Sequence, residues 1–531
     1  MKLSSAYLGH HGLVSGLYDE LGIGDVIDQN LPKQGQHKLP HSVAVKAMII
    51  NALGFNERRL YMFPEFFENL DTERLLGTGV VPADINDDVL GRTLDRIYDG
   101  DPTELFLKIV LNVMEKVPFG TQLLHADTTS VSVHGDYENI DGSRAIEITY
   151  GHTKDNRPDL KQFVMSMITN QHGIPLFIQT YSGNKSDKKS IIESIQRLRK
   201  RICIPDAYVI ADSAIYTEEN IRKLSTDAQW ITHVPATIGE ANQLLSADIS
   251  LEPSSNDPRY SFYVAASNYG GIPQKWIVVH SRDMQKRKEQ TFERNLEKLD
   301  LKTRKSLKKL KAVEFVCEPD ARQAAEQWIA ANPGYLFQDF SISTSSRKVN
   351  SKRGRPKFDD DLKTVYSVVT SITRDEEKNQ TEKEKLGRFI LATNDRSLEP
   401  ESMLDFYKQQ SHVERMFRFL KDRSFRISEV YLKKPERIEA LSMVMVLTLL
   451  VYSILEYLIR KRMKEQGIFI PNQVRKPTQN PSLKWIFTKF AGVTVVSADI
   501  DGTIHRQISH VNESVERIVG ILGPSCKNCY A

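Results

Sequence analysis

The sequence predicts an α/β protein: a mixed sheet with flanking helices, preceded by a helical region and interrupted by an α+β insertion. Three observations predict it. Apolar residues recur at spacings of three and four up to about residue 118. From Gln122 onward, short β-branched runs alternate with helical stretches. Strand patterns then return at YSVVTSITRD and GRFILATND, after a long charged helix.

The 531 residues are 40% hydrophobic and 26% charged, an ordinary globular balance that excludes general disorder and fibrous classes. The length suggests about three or four domains and a core that needs no staples. Four cysteines (Cys203, Cys317, Cys526, Cys529) are too few and too scattered for a disulfide framework, which favours a reducing compartment. The net charge of +4 is uninformative if spread evenly, so its distribution carries any argument about partners. MKLSSAYLGHHGLVSGLYDELG holds no apolar run long enough for a secretory signal. Residues 440–459 reach membrane-spanning length. That run contains Glu456 and is flanked by Arg437, Glu439, Arg460 and Lys461, so it reads as a buried core helix, with a membrane span as the alternative.

In chain order, VAVKAMIINALGF and ELFLKIVLNVMEKV have helical spacing, and Asp101 with Pro102 forms an N-cap followed by proline at the first helical position. This region is either a DNA-binding module or a packing and dimerisation domain. LLHADTTSVSVHG, AIEITYGHT and QFVMSMITN read as three strands, followed by the helix SDKKSIIESIQRLRKR. AYVIADSAI is a short strand buried on both faces, TEENIRKLS a helix and QWITHVPA another strand. SFYVAAS and KWIVVHS are strands beyond residue 240. The helix over 282–311 carries twelve Lys or Arg against five Asp or Glu. It is a solvated face or a phosphate-contacting surface. SMLDFYKQQSHVERMFRFLK is one helix, and the apolar helix follows it.

Three acids sit where a metal site needs them. Asp127 lies on the first strand, Asp212 at the C-terminal end of a central strand, and Glu414 on a helix. Hard divalent cations take carboxylate oxygens. Two ions about 4 Å apart can activate an attacking oxygen and stabilise a leaving one at a phosphodiester. Tyr407, Gln410, Glu414 and Lys421 follow at steps of three, four and seven, which keeps them on one face of a helix.

These residues resemble a family. A Y-x2-R-x3-E-x6-K pattern downstream of two strand-borne aspartates marks the DDE transposases of bacterial and archaeal insertion sequences. Tyr407, Glu414 and Lys421 match it, and HADTTSV, YGHTKDNRPDLKQF, GNKSDKKS, IADSAIY and FILATND are similar to its local contexts. Gln410 stands where the pattern has Arg, which puts the detail of DNA-end handling in doubt. The resemblance covers roughly residues 120–240 and 385–460. It implies a ribonuclease-H-like fold, which the order of strands and helices fits independently.

The resemblance further implies that Asp127, Asp212 and Glu414 hold two magnesium (or manganese) ions, with Tyr407 and Lys421 positioning the phosphate. The implied activity is cleavage at the element end, leaving a 3′-hydroxyl that attacks target DNA. The implied setting is double-stranded DNA (ends and target), a homodimer on DNA, no membrane, and a cytoplasmic, nucleoid-associated location. The alternative is a catalytically inactive DNA-binding regulator derived from a transposase. The 202 residues from Asp212 to Glu414 exceed a minimal core, so an insertion is expected between them. The expected division is a helical N-terminal domain at 1–118, core at 119–240, insertion at 241–385, core with the Glu414 helix at 386–465, and a C-terminal tail at 466–531.

Lys352-Arg353-Gly354-Arg355-Pro356-Lys357 is similar to an AT-hook core, which suits a narrow minor groove; a flexible basic linker is the plainer reading. Lys352, Arg353, Arg355, Lys357 and Gln410 are the DNA-binding candidates. Cys526-x-x-Cys529 is half a zinc motif or a frayed tail. His125 shares a strand face with Asp127 and is either a site residue or a satisfied core histidine; His152 and His412 are read the same way. No P-loop and no G-x-S-x-G motif is present.

Overall fold

The structure, a computed structural model, describes residues 2–33, 38–54, 60–137, 144–153, 157–204, 206–348, 362–421, 432–500 and 503–531. The chain divides into two compact units: 1–233 with 267–275 and 392–531, and 234–266 with 276–391.

The sheet of the first unit runs in the order Pro175–Ser182, Lys161–Asn170, Leu123–Val133, Tyr208–Ala211, Gln229–Val234. The first three are antiparallel neighbours; Leu123–Val133, Tyr208–Ala211 and Gln229–Val234 run parallel. This is the ribonuclease-H-like arrangement. Val209, Ile210 and Ala211 have no exposed surface, as a parallel strand covered on both faces requires. The helix Asp187–Arg201 covers one face, where the Tyr181 hydroxyl donates to the Ser190 carbonyl at 3.1 Å.

One expected strand differs. In AIEITYGHT only Thr149 forms a bridge, to Gln162. The third antiparallel strand is instead Pro175–Ser182. Gly173, at φ +75°, makes the tight return into it. Proline is tolerated at a strand's first residue, where no ladder donor is needed.

The helix Pro435–Glu465 is the apolar segment. Over its most apolar stretch 89% of the residues are buried inside the protein, so it is a core helix. It packs on the helices Asp87–Asp99 and His41–Leu53 and on the strand Pro175–Ser182. Residues such as Leu447, Leu450, Val451 and Leu455 are fully enclosed, each burial stabilising by about 1.5–3 kcal/mol. Arg437 clamps the Asp95 carboxylate with two bonds of 2.7 Å.

Residues 466–531 are not a tail. Thr494–Ile500 is the middle strand of a three-stranded sheet between Lys2–Tyr7 and Thr503–Ser509. The helix Pro524–Asn528 packs on His11–Glu20. A Cβ on Gly16 would lie 2.4 Å from the Cys526 Cα, so this approach requires glycine. The Tyr530 hydroxyl donates to the Gly9 carbonyl at 2.6 Å. Cys526 and Cys529 are buried, and burial pushes both thiols up, which disfavours the thiolate a zinc site needs.

In the second unit, Arg388–Thr393, Gln274–Ser281, Tyr260–Ser267 and Glu252–Pro253 lie side by side in that order. A two-stranded ribbon, Tyr335–Lys348 with Leu362–Arg374, packs against the helices Arg282–Lys311 and Glu318–Ala330. Leu307, Tyr335 and Ile372 form part of its core.

Candidate active site

The strand ladder sets the two aspartates. Leu123 pairs with Tyr208, and the parallel register continues to Ala126 with Ala211. The next residue on each strand is Asp127 and Asp212. Neighbouring strands lie about 4.8 Å apart, so the carboxylates start from adjacent positions. Asp127 is half-buried between fully enclosed neighbours, and its Oδ1 accepts from the Thr128 N–H at 2.7 Å. Asp212 ends its strand and caps the short turn Ser213–Ile215. Its Oδ1 accepts from the Ala214 N–H at 2.9 Å, and its carbonyl accepts from the Thr232 hydroxyl at 2.9 Å. A backbone donor therefore orients each carboxylate.

Glu414 is exposed in the first turn of the helix Ser411–Leu420. That helix packs on the strands Leu123–Val133 and Lys161–Asn170 and buries Val413, Met416, Phe417 and Leu420. Tyr407 is half-buried at the end of the preceding helix. Its hydroxyl is pushed up to about 12, first by burial and then by the charges of Asp212 and Glu414. Both carboxylates therefore act on this phenol electrostatically.

The expected single helix over this motif is two. Pro400–Lys408 ends, Gln409 and Gln410 turn, and Ser411–Leu420 begins. Gln410 is 6% exposed and its Oε1 has no hydrogen-bond partner among the described residues. Little of this side chain is at the surface of the DNA-free protein. Lys421 caps the end of the Glu414 helix, where a cation complements the helix dipole. Lys352, Arg353, Arg355 and Lys357 lie outside the described residues.

His125 is fully buried, and neither ring nitrogen has a hydrogen-bond partner among the described residues. Burial, then the charge of His412, lowers it to about 3, so it is neutral. It is not the satisfied core histidine of the plainer reading. His412 Nδ1 donates to the Gln171 carbonyl at 2.8 Å, and His152 is exposed. Sequence reasoning passed over Glu439, noted only as a flank. Its Oε1 accepts from the Ile146 N–H at 2.9 Å and its Oε2 from the Thr180 hydroxyl at 3.2 Å. Burial lifts it to about 7. A glutamate at the edge of a long apolar helix was the available signal.

A family model described as a transposase DDE domain matches residues 118–451. The chain belongs to the DDE transposase family. A model described as a domain of unknown function (DUF4277) matches residues 3–111 of this transposase. No curated protein matches the chain. The family implies a DNA substrate and general dependence on divalent metal. The donor chemistry here fits: two half-buried carboxylates in adjacent register suit a hard cation better than a site for softer metals. Among the described residues no three His, Cys, Asp or Glu side chains stand close enough to hold an ion.

Proposed function

We propose that this transposase cuts DNA at the ends of an insertion sequence and joins the resulting 3′-hydroxyl to target DNA, with Asp127, Asp212 and Glu414 as its acidic triad. The observation that carries the reading is the parallel register that delivers Asp127 and Asp212 side by side. Two magnesium or manganese ions, when bound, supply Lewis-acid activation and neutralise charge on the phosphate. The three carboxylates would hold them. The Tyr407 hydroxyl, pushed up to about 12, stays protonated at neutral pH and donates to a phosphate oxygen. Lys421 offsets phosphate charge from the end of the Glu414 helix. Enclosed neighbours such as Ala126 and Thr128 keep water away from the Asp127 backbone.

The partner is double-stranded DNA, both element ends and target, handled by a homodimer in the cytoplasm at the nucleoid. The catalytic core is 119–240 with 386–465, the insertion lies between them, and residues 1–118 form the helical N-terminal domain. The compact unit of 234–266 with 276–391 supports the insertion. All twelve cations of Arg282–Lys311 are exposed. Such a surface holds the DNA backbone without reading its sequence.

The test is cleavage of element-end DNA in magnesium. Asp127→Asn and Glu414→Gln should each abolish cutting while leaving DNA affinity within about twofold, since cations dominate affinity. Normal cutting by either variant removes that acid from the triad. One observation favours a second reading, a regulator that binds DNA without cutting: among the described residues no three metal-ligating side chains cluster. In that case the parent protein binds ends and never nicks them.

A further inference from the structure

We infer that a pocket beside the Glu414 helix binds the phosphodiester backbone of DNA. The pocket has a volume of about 350 Å³; Arg415, Arg460, Lys461, Lys464, His172 and Tyr457 line it, together with one carboxylate, Glu456. Tyr457, Arg460, Lys461 and Lys464 fall at steps of three, one and three on the helix Pro435–Glu465, which puts them on one face. Arg415 comes from the Glu414 helix and His172 from the turn before Pro175–Ser182.

Among the described residues, one of these cations has an ion-pair partner. Arg460 pairs with Glu456 at 2.9 Å. Arg415, Lys461 and Lys464 have no ion pair among the described residues. Lys461 instead lies 5.8 Å from the Tyr457 ring centre, and the His172 ring sits 4.9 Å from that of Tyr457. His172 and His412 are both lowered, first by burial, so they add no charge at neutral pH. The positive field reaches His412, which feels both Arg415 and Arg460.

Like charges gathered in a cavity repel one another, and an anion relieves that cost. Helix-end cations also complement the helix dipole. That explains Lys461 and Lys464, but not Arg415, which comes from a different helix. Cations with neighbouring aromatic faces suit a nucleic-acid strand. Arg415 follows Glu414 directly, and a helix is about 10–12 Å across. A strand crossing it would meet the pocket roughly three nucleotide steps from the acids, at about 3.4 Å per step. The location relative to cutting rests on the triad proposed above; the pocket's affinity for backbone does not.

The experiment measures affinity for an element-end duplex against salt concentration for the full chain and for an Arg415→Gln, Lys464→Gln double variant. Both residues are exposed, and an unchanged unfolding midpoint confirms the fold. The salt slope should shrink by about 1.8, some 0.9 for each phosphate no longer neutralised. An unchanged slope overturns the inference. If inorganic phosphate alone then raises the parent's midpoint, the pocket is a small-anion site. If Lys464→Gln lowers the midpoint with the slope unchanged, the cations serve the helix end. Cutting that survives Asp127→Asn defeats the triad and leaves the slope comparison standing.

Discussion

The Asp127–Asp212 pair and the helix Arg282–Lys311 carry charge by opposite means. The aspartates are half-buried, each held by a backbone N–H and fixed to its neighbour by strand register. The twelve cations of the helix are all exposed, and among the described residues Arg304 alone of them has an ion-pair partner, Asp300. Chemistry at one bond needs carboxylates whose spacing cannot drift. Attraction to a polyanion needs only density of charge, because long-range Coulomb forces tolerate loose placement. Removing one charged residue therefore costs sharply in the first region and gradually in the second.

That contrast gives graded predictions. Asp212→Asn should lower end cleavage about 10³-fold or more, several kcal/mol of transition-state stabilisation; cutting within tenfold of the parent would break the comparison at its fixed end. Gly16→Ala tests fixed placement away from the site. Its Cβ meets the Cys526 backbone, so denaturant unfolding should show a loss of about 2 kcal/mol. A stabilised variant would mean that the C-terminal helix does not pack there.

Glu439 sharpens the point for a half-buried acid. Its pKa in the folded state, about 7, lies above its ordinary 4.5. The folded state therefore binds the proton more tightly, and parent stability falls as pH rises from about 4.5 through about 7. Glu439→Gln should remove that fall and gain about 1–3 kcal/mol at pH 8 relative to the parent. Parallel pH profiles for the two proteins would contradict the assignment. The smallest effect belongs to the tolerant region. Lys302→Gln on the basic helix should weaken DNA binding several-fold and cut the salt slope by about 0.9, with cutting at saturating DNA unchanged. An unchanged slope identifies a merely solvated face.

Local pattern made single elements readable in every region. The bounds of Arg282–Lys311, the buried run Tyr208–Ala211 and the Asp101 cap, whose carboxylate accepts from Thr103 and Glu104, follow from residues within one turn or strand. What failed depended on distance. Ile146, Ile148 and Thr149 look like a strand, yet Ile146 donates to Glu439, almost 300 positions on (|i−j| = 293), instead of to a strand partner. The break at Gln409–Gln410 carries no Gly or Pro to announce it. The C-terminal hairpin was missed, and one of the partners of its strand Thr494–Ile500 is the distant Lys2–Tyr7. The cations of the pocket looked like flanks of an apolar helix until Arg415 came beside them. Asp127 and Asp212 were each legible as strand acids; their adjacency was not, since register is a property of the folded sheet.

The central claim is that these two aspartates serve one cation site. The most direct measurement is a manganese titration of the DNA-free protein followed by electron paramagnetic resonance, on the parent and on Asp127→Asn and Asp212→Asn separately. The account predicts that each substitution weakens manganese binding at least about tenfold, as removing one ligand from a shared site should. Undiminished binding in either variant, with its fold intact, would contradict it.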